Sequence, residues 1–283
     1  MGRALQAAFK SPDAFTPLFC NKKALDITNL NQVELYITKH DIKCIVNCAA
    51  YTNVQLAEQE TEACFRVNSV GAGYLAALSK KYKIPLIHIS TDYVFGTTLG
   101  RPFKPNDLTD PLNQYGRAKL AGEQLVAATA AQYYIIRTSW LYGEHGDNFF
   151  TRMIEFARKG LSIQMVDDQI GSPTYICDLA STIWDIVEQV TQNNPDRFPS
   201  GIYHYTNEGV ASWYDFAYAI LDNFPSGATL MPIASIQTAV KRPYYSVLDK
   251  SSFRETFQKN IPHWQHSLSA CCANFQRIFG CSL

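Results

Sequence analysis

The sequence predicts an α/β protein, a doubly wound and largely parallel sheet with a smaller C-terminal lobe. Three observations lead there. Apolar runs such as CIVNCAAYT (44–52), PLIHIS (85–90) and YYIIRTSW (133–140) proceed without the clear alternation of a half-exposed strand, as strands covered on both faces do. Segments of helical spacing separate these runs, which is the βαβ pattern of a parallel sheet. From Asn148 the composition shifts, with a new amphipathic helix, a short strand and a polar turn.

At 283 residues, with 47% apolar residues, the chain is long enough to bury a large core. Lysine plus arginine equals aspartate plus glutamate, 25 each, so no whole-chain field favours nucleic acid or an anionic membrane. No apolar run approaches the roughly 18 residues of a membrane span. The first residues, MGRALQAAFKSPDAF, put polar groups where a signal peptide needs its apolar region. The eight cysteines (20, 44, 48, 64, 177, 271, 272, 281) show no CxxC and no zinc spacing. Buried reduced thiols in a cytoplasmic protein are the simplest account of them.

In chain order, GRALQAAF reads as a helix with Leu5, Ala8 and Phe9 on one side, and no strand precedes it. Pro17 to Cys20 fits a short second strand. Asn29 to His40 has helical spacing with Leu30, Val33, Leu35 and Ile37 apolar. The strand 44–52 ends in Ala49, Ala50 and Tyr51, small residues first, which would let a ligand approach the backbone. Thr61 to Tyr82 reads as one long helix capped by Thr61. The strand within 84–95 breaks at Thr91, Asp92 and Tyr93, and a long proline-rich loop (96–113), of a length often tied to function, delivers Tyr115 to the next helix. Beyond Trp140, a helix (148–160), a strand (162–166) and a polar turn (167–174) lead to a helix over 175–190 and a strand over 201–206. Ser212 caps a helix whose aromatics Trp213, Tyr214, Phe216 and Tyr218 suit core packing, and a last helix closes the chain.

The chemistry concentrates between Ile84 and Lys119. YGRAK (115–119) places Tyr115 and Lys119 about one helical turn apart and so on one face. A hydroxyl at a strand's carboxyl end, followed by such a pair, is the set of groups that carbonyl reduction by a nicotinamide hydride needs. A tyrosine phenol, with an ordinary pKa near 10, can protonate the product alkoxide if a nearby cation pulls it toward neutrality. Thr91 would hydrogen-bond the same oxygen as charge builds on it. The bland reading of YxxxK, a solvated helix face, needs none of the surrounding pattern.

STDYVF (90–95), DPLNQYGRAKLAGE (110–123), RTSWLYG (137–143), DDQIGSPT (167–174) and KRPYYSVLD (241–249) together resemble the dTDP-4-dehydrorhamnose reductase family, within the extended short-chain dehydrogenase/reductases. The resemblance spans nearly the whole chain in order. It implies a Rossmann-like domain over 1–147 and mainly a substrate-binding lobe over 148–283, with 175–206 returning to the first domain. It implies reduction of the 4-keto group of a nucleotide-linked deoxysugar, dTDP-4-dehydro-L-rhamnose giving dTDP-L-rhamnose. Thr91, Tyr115 and Lys119 would be catalytic. Gly2, Asp26, Ile27, Ala49, Ala50, Tyr51, Asn68, Ser90, Tyr115 and Lys119 would meet the cofactor, and Asp92, Tyr93, Trp140 and Arg242 the sugar nucleotide. Lys241 and Arg242 suit a diphosphate. For Asn68 the alternative is a buried polar tie between elements, and for Trp140 a plug at the lobe junction. Lys22 and Lys23, with no acid directly at the strand end, lean the cofactor toward NADPH over NADH. No metal is required, and a homodimer is compatible with the family.

Two departures stand out. Gln55 replaces a family aspartate at a loop-to-helix junction. At the N-terminus only Gly2 resembles the glycine-rich fingerprint, and the strand and earlier glycines that hold a pyrophosphate are absent. Either the start codon is placed late by roughly ten to fifteen codons, the favoured account, or tight cofactor binding has been given up. The rival class is a non-catalytic binding subunit, as the similar regulatory subunit of methionine adenosyltransferase is, or a truncated inactive product. Thr91, Tyr115 and Lys119 argue against both.

Overall fold

The structure, a computed structural model, describes residues 1–10, 15–97, 99–192, 198–224, 227–236 and 240–280. Cys281 and Thr98 lie outside them. The elements in order are α1 (Gly2–Ala8), α2 (Leu30–His40), β1 (Ile45–Asn47), α3 (Val54–Ala57), α4 (Thr61–Phe65), a π-helical turn (Arg66–Gly71), α5 (Ala72–Tyr82), β2 (Leu86–Thr91) and α6 (Gln114–Thr129). There follow β3 (Tyr133–Thr138), β4 (Leu141–Tyr142), α7 (Phe149–Arg158), β5 (Ser162–Val166), β6 (Ile170–Gly171), β7 (Thr174–Tyr175), α8 (Ile176–Gln192), β8 (Gly201–His204), β9 (Ala211–Ser212), α9 (Trp213–Asp222), β10 (Thr229–Ile233), α10 (Ser251–Phe257) and α11 (Trp264–Phe279).

Strands β1, β2, β3 and β8 form one parallel sheet in that order. Successive side chains of a strand point to opposite faces, and both faces here are covered. Ile87, Tyr134 and Ile136 pack with Leu5 of α1, Leu179 and Ile183 of α8, and Phe253 of α10. Leu86 and Ile135 pack on the other side with Val33 of α2, Leu75 of α5 and Val126 of α6. Helices on both faces make the fold α/β and doubly wound, as expected. A separate cluster joins Phe150 and Ile154 of α7, Phe216 of α9, and Leu268 and Phe275 of α11.

Some elements differ from expectation. Pro17–Cys20 is no strand; Leu18 and Phe19 are exposed. Among the described residues nothing pairs with the outer edge of β1, and this segment does not add to it. Thr61 is not a cap: its hydroxyl donates to Ala57 O and Glu58 O, and Glu60 stands at the cap position. The helix expected over 61–82 is interrupted by the π turn. In α2, Val33 and Ile37 are buried while Leu30 and Leu35 face outward. Ser212 does cap α9 in a capping box with Asp215. Phe216 is buried, but Tyr218 is exposed rather than core. All described cysteines are free thiols.

Two glycines fix α6 against its surroundings. A Cβ at Gly122 would come within 2.1 Å of Asn68 O, and one at Gly116 within 2.3 Å of Tyr93 O. Any side chain there would push the helix off both. Asn113 caps α6 by accepting from Gly116 N at 2.8 Å, and its amide donates to Lys241 O at 3.0 Å.

Candidate active site

The carboxyl end of β2 and the first turn of α6 meet because of Gly116. Thr91 is 6% exposed, and its hydroxyl lies in hydrogen-bonding range of the Tyr115 phenol and 3.1 Å from Asp92 Oδ1. The Tyr115 ring meets Tyr93 edge-on, with centroids 5.8 Å apart. Arg242 is exposed and acts through its charge on the Tyr93 phenol. Among the described residues Arg242 makes no ion pair. Asp92, Ser246 and Thr91 form one buried polar group, with Asp92 Oδ2 left without a partner. Burial pushes the Asp92 carboxyl up to about 6 and the Tyr93 phenol up to about 12.

Lys119 departs from the sequence expectation in one respect. Its ammonium was expected to pull the Tyr115 phenol down. Burial instead holds Tyr115 above its ordinary value, with Thr91 the group that opposes the rise. Lys119 Nζ donates to Ile89 O at 2.7 Å and lies 3.2 Å from His88 Nε2. Burial pushes Lys119 itself down to about 8, with Glu123 opposing. Desolvation is the largest influence on both groups; at Tyr115 the Asp92 charge adds to it, and at Lys119 the Glu123 charge opposes it without overcoming it.

Ser90 points elsewhere: its hydroxyl donates to Glu123 Oε1 at 2.5 Å. Glu123 also accepts from Arg137, whose Nη2 approaches Oε2 at 2.7 Å. Arg137 Nη1 donates to Pro105 O, tying the long loop to the sheet. Ser90 therefore serves a buried ion pair, one residue and one face away from Thr91. Asn68 acts as the structural tie: Oδ1 accepts from Tyr51 N at 2.8 Å and Nδ2 donates to Tyr51 O at 3.0 Å. That bond pins the loop of Ala49, Ala50 and Tyr51 beyond β1.

Asp26 accepts from Thr28 N and Thr28 Oγ1, bonds that hold its carboxyl below the ordinary range. Ile27 packs on Gly71. Lys22 and Lys23 sit exposed at a turn capped by Asn21. Gly2 opens α1, and a Cβ there would meet nothing within 4 Å. Gln55 is not a cap, since Asn53 fills that place for α3. Trp140 stacks on Trp213 at 3.6 Å and 8° between planes and covers Gly171. Its φ of 47° is a strained value for a bulky residue, and it turns the chain from β3 into β4. The plug reading describes this ring.

Sequence reasoning missed His88, Asn47, Glu123, Arg137, Asn113 and Ser246. Arg137 inside an apolar strand was the available signal, because a buried charge requires a partner.

A family model described as the RmlD substrate binding domain matches residues 1–277. A dTDP-4-dehydrorhamnose reductase of Aggregatibacter actinomycetemcomitans is 36% identical over 276 residues, 95% of this chain and 93% of that protein. A dTDP-4-keto-6-deoxy-D-glucose reductase of Streptomyces niveus is 39% identical over 249 residues, 87% and 84% of the two chains. Among solved structures, dTDP-4-dehydrorhamnose reductase from Bacillus anthracis str. Ames in complex with NADP matches with a TM-score of 0.90 at 34% identity, covering 96% and 95%. The ortholog from Clostridium acetobutylicum gives 0.90 at 31%, covering 97% and 95%. With matches of this length in both sequence and structure, the chain belongs to the dTDP-4-dehydrorhamnose reductase family.

Proposed function

We propose that this chain is an NADPH-dependent oxidoreductase that reduces the 4-keto group of a dTDP-linked deoxysugar, dTDP-4-dehydro-L-rhamnose giving dTDP-L-rhamnose, in dTDP-rhamnose biosynthesis. The observation that carries the reading is the Thr91 hydroxyl against the Tyr115 phenol, one helical turn from a buried lysine that has no carboxylate partner. When bound, NADPH supplies the hydride. Tyr115 gives its proton to the carbonyl oxygen, and Thr91 orients that oxygen by hydrogen bonding. Lys119, as an ammonium, favours the phenolate left behind.

The residues present fit a dinucleotide in part. Gly2 and the small Ala49 and Ala50 leave backbone open beside β1, and Lys22 and Lys23 are free to meet a 2'-phosphate. Asp26, Ile27 and Tyr51 line the same edge, while the Ser90 hydroxyl is committed to Glu123. Asp92, Tyr93 and Arg242 would contact the sugar nucleotide, with Trp140 shaping the wall behind. The division into 1–147 and 148–283, with 175–206 in the first domain, is supported by β8 lying in the main sheet and α8 packing on it. A cytoplasmic location accords with the free thiols. No helix of the described residues is long and apolar enough to cross a membrane.

The test is loss of NADPH absorbance on addition of dTDP-4-dehydro-L-rhamnose, with product identified by mass and retention. Binding of the sugar nucleotide without NADPH oxidation would overturn the catalytic reading and favour a binding subunit.

A further inference from the structure

His88 is a buried titratable group that the proposed reaction leaves unused. It stands on β2, 1% exposed, opposite Asn47 of β1. Its Nδ1 lies 3.0 Å from Asn47 Nδ2 and its Nε2 lies 3.2 Å from Lys119 Nζ. The orientation of Asn47 is fixed from its other end, where Oδ1 accepts from Ala49 N at 3.0 Å. Turning that amide over would set its NH2 against the Ala49 N–H.

An amide NH2 only donates, so His88 Nδ1 accepts. A neutral imidazole has one acceptor and one N–H, and burial disfavours the charged form of His88. The hydrogen is therefore on Nε2, aimed at Lys119 Nζ. An ammonium meets it with donors alone, whereas an uncharged amine offers a lone pair. We infer that His88 is a positioning residue for Lys119: its Nε2–H faces the lysine nitrogen with a donor, so the Lys119 ammonium holds its proton less tightly than it would against an acceptor.

The other groups facing Lys119 favour the cation but do not overcome its burial. Cys48, beyond β1, and Cys64, on α4, are thiols that burial pushes up, Cys48 to about 11. Glu123, on α6, is committed to Arg137. Ile89 O accepts one N–H from either form of the lysine. The Asn47, His88 and Lys119 chain thus makes the lysine proton easier to release than it would be from a lysine paired with a carboxylate.

The inference rests on the role given above to Lys119 only for its kinetic consequence, and two measurements separate the two. In the full chain labelled with 15N, two-bond correlations of the His88 ring should show hydrogen on Nε2 and a bare Nδ1; hydrogen on Nδ1 overturns the inference whether or not the protein turns over. In His88→Gln the side-chain oxygen gives the ammonium an acceptor, so the alkaline limb of kcat/KM should move up by roughly one pH unit. A limb that superimposes on that of the parent protein, or moves down, overturns it, because an imidazole that accepted from the ammonium would be replaced like for like.

Discussion

Two buried cations meet α6, Lys119 on the helix itself and Arg137 of β3 against Glu123 one turn further on, and they are held in opposite ways. Arg137 is 2% exposed and its guanidinium meets both oxygens of Glu123, Pro105 O and the neighbourhood of His204. Lys119, also 2% exposed, has a carbonyl and an imidazole and no carboxylate. A buried charge costs several kcal/mol unless it is paired, so the arginine can only be structural scaffold. The lysine is a group whose charge the fold leaves negotiable. The contrast separates what holds the long loop and the sheet together from what is free to take part in chemistry.

The largest effect expected tests the chemical pocket. Tyr115→Phe should cut turnover about a hundred- to ten-thousandfold while the melting temperature changes little, read by steady-state kinetics and calorimetry. Turnover kept within about tenfold would remove Tyr115 as the acid. Next, Glu123→Ala strands Arg137 and should cost about 3 to 5 kcal/mol of stability, measured by urea unfolding. A loss under about 1 kcal/mol would mean the two pockets differ less than their geometry says.

Lys119→Met probes the other cation, with the sign reversed. The folded value of Lys119, about 8, lies below the ordinary 10.5. Below pH 8 both folded and unfolded chains hold the proton and the burial cost is fully present; as pH rises toward 10.5 the folded chain has released it and the cost fades. Relative to the parent, Lys119→Met should therefore gain about 1 to 2 kcal/mol at pH 7 and less at pH 10, with activity lost at both. Equal differences at the two pH values would contradict an uncompensated cation. The smallest effect is expected of Asn113→Asp, which keeps the oxygen that caps α6 but loses the donor to Lys241 O. Stability should fall by no more than about 1 kcal/mol, while KM for the sugar nucleotide rises and kcat holds.

Much of the proposed site was legible in the chain because its parts are local. Tyr115 and Lys119 share a face by helical period, and Thr91 ends a strand by the break from an apolar run into a polar turn. The Ser90 hydroxyl turning to Glu123 could not be read from the sequence, because adjacent strand residues face opposite ways and only packing says what each face meets. Trp140 was ambiguous for a similar reason: whether its ring stacks on a ligand or on Trp213 depends on an element more than 70 residues away.

What the sequence determined alone is the α/β order of elements, the doubly covered strands and the placing of Tyr115 and Lys119 on one helix face beyond the strand end at Thr91, since period and strand-end chemistry are properties of short segments. The tertiary structure decided the charges. Which lysine loses its solvent, which arginine finds Glu123 and which way His88 carries its hydrogen follow from groups brought together across strands and helices, and the desolvation that sets their protonation exists only once those neighbours have excluded water.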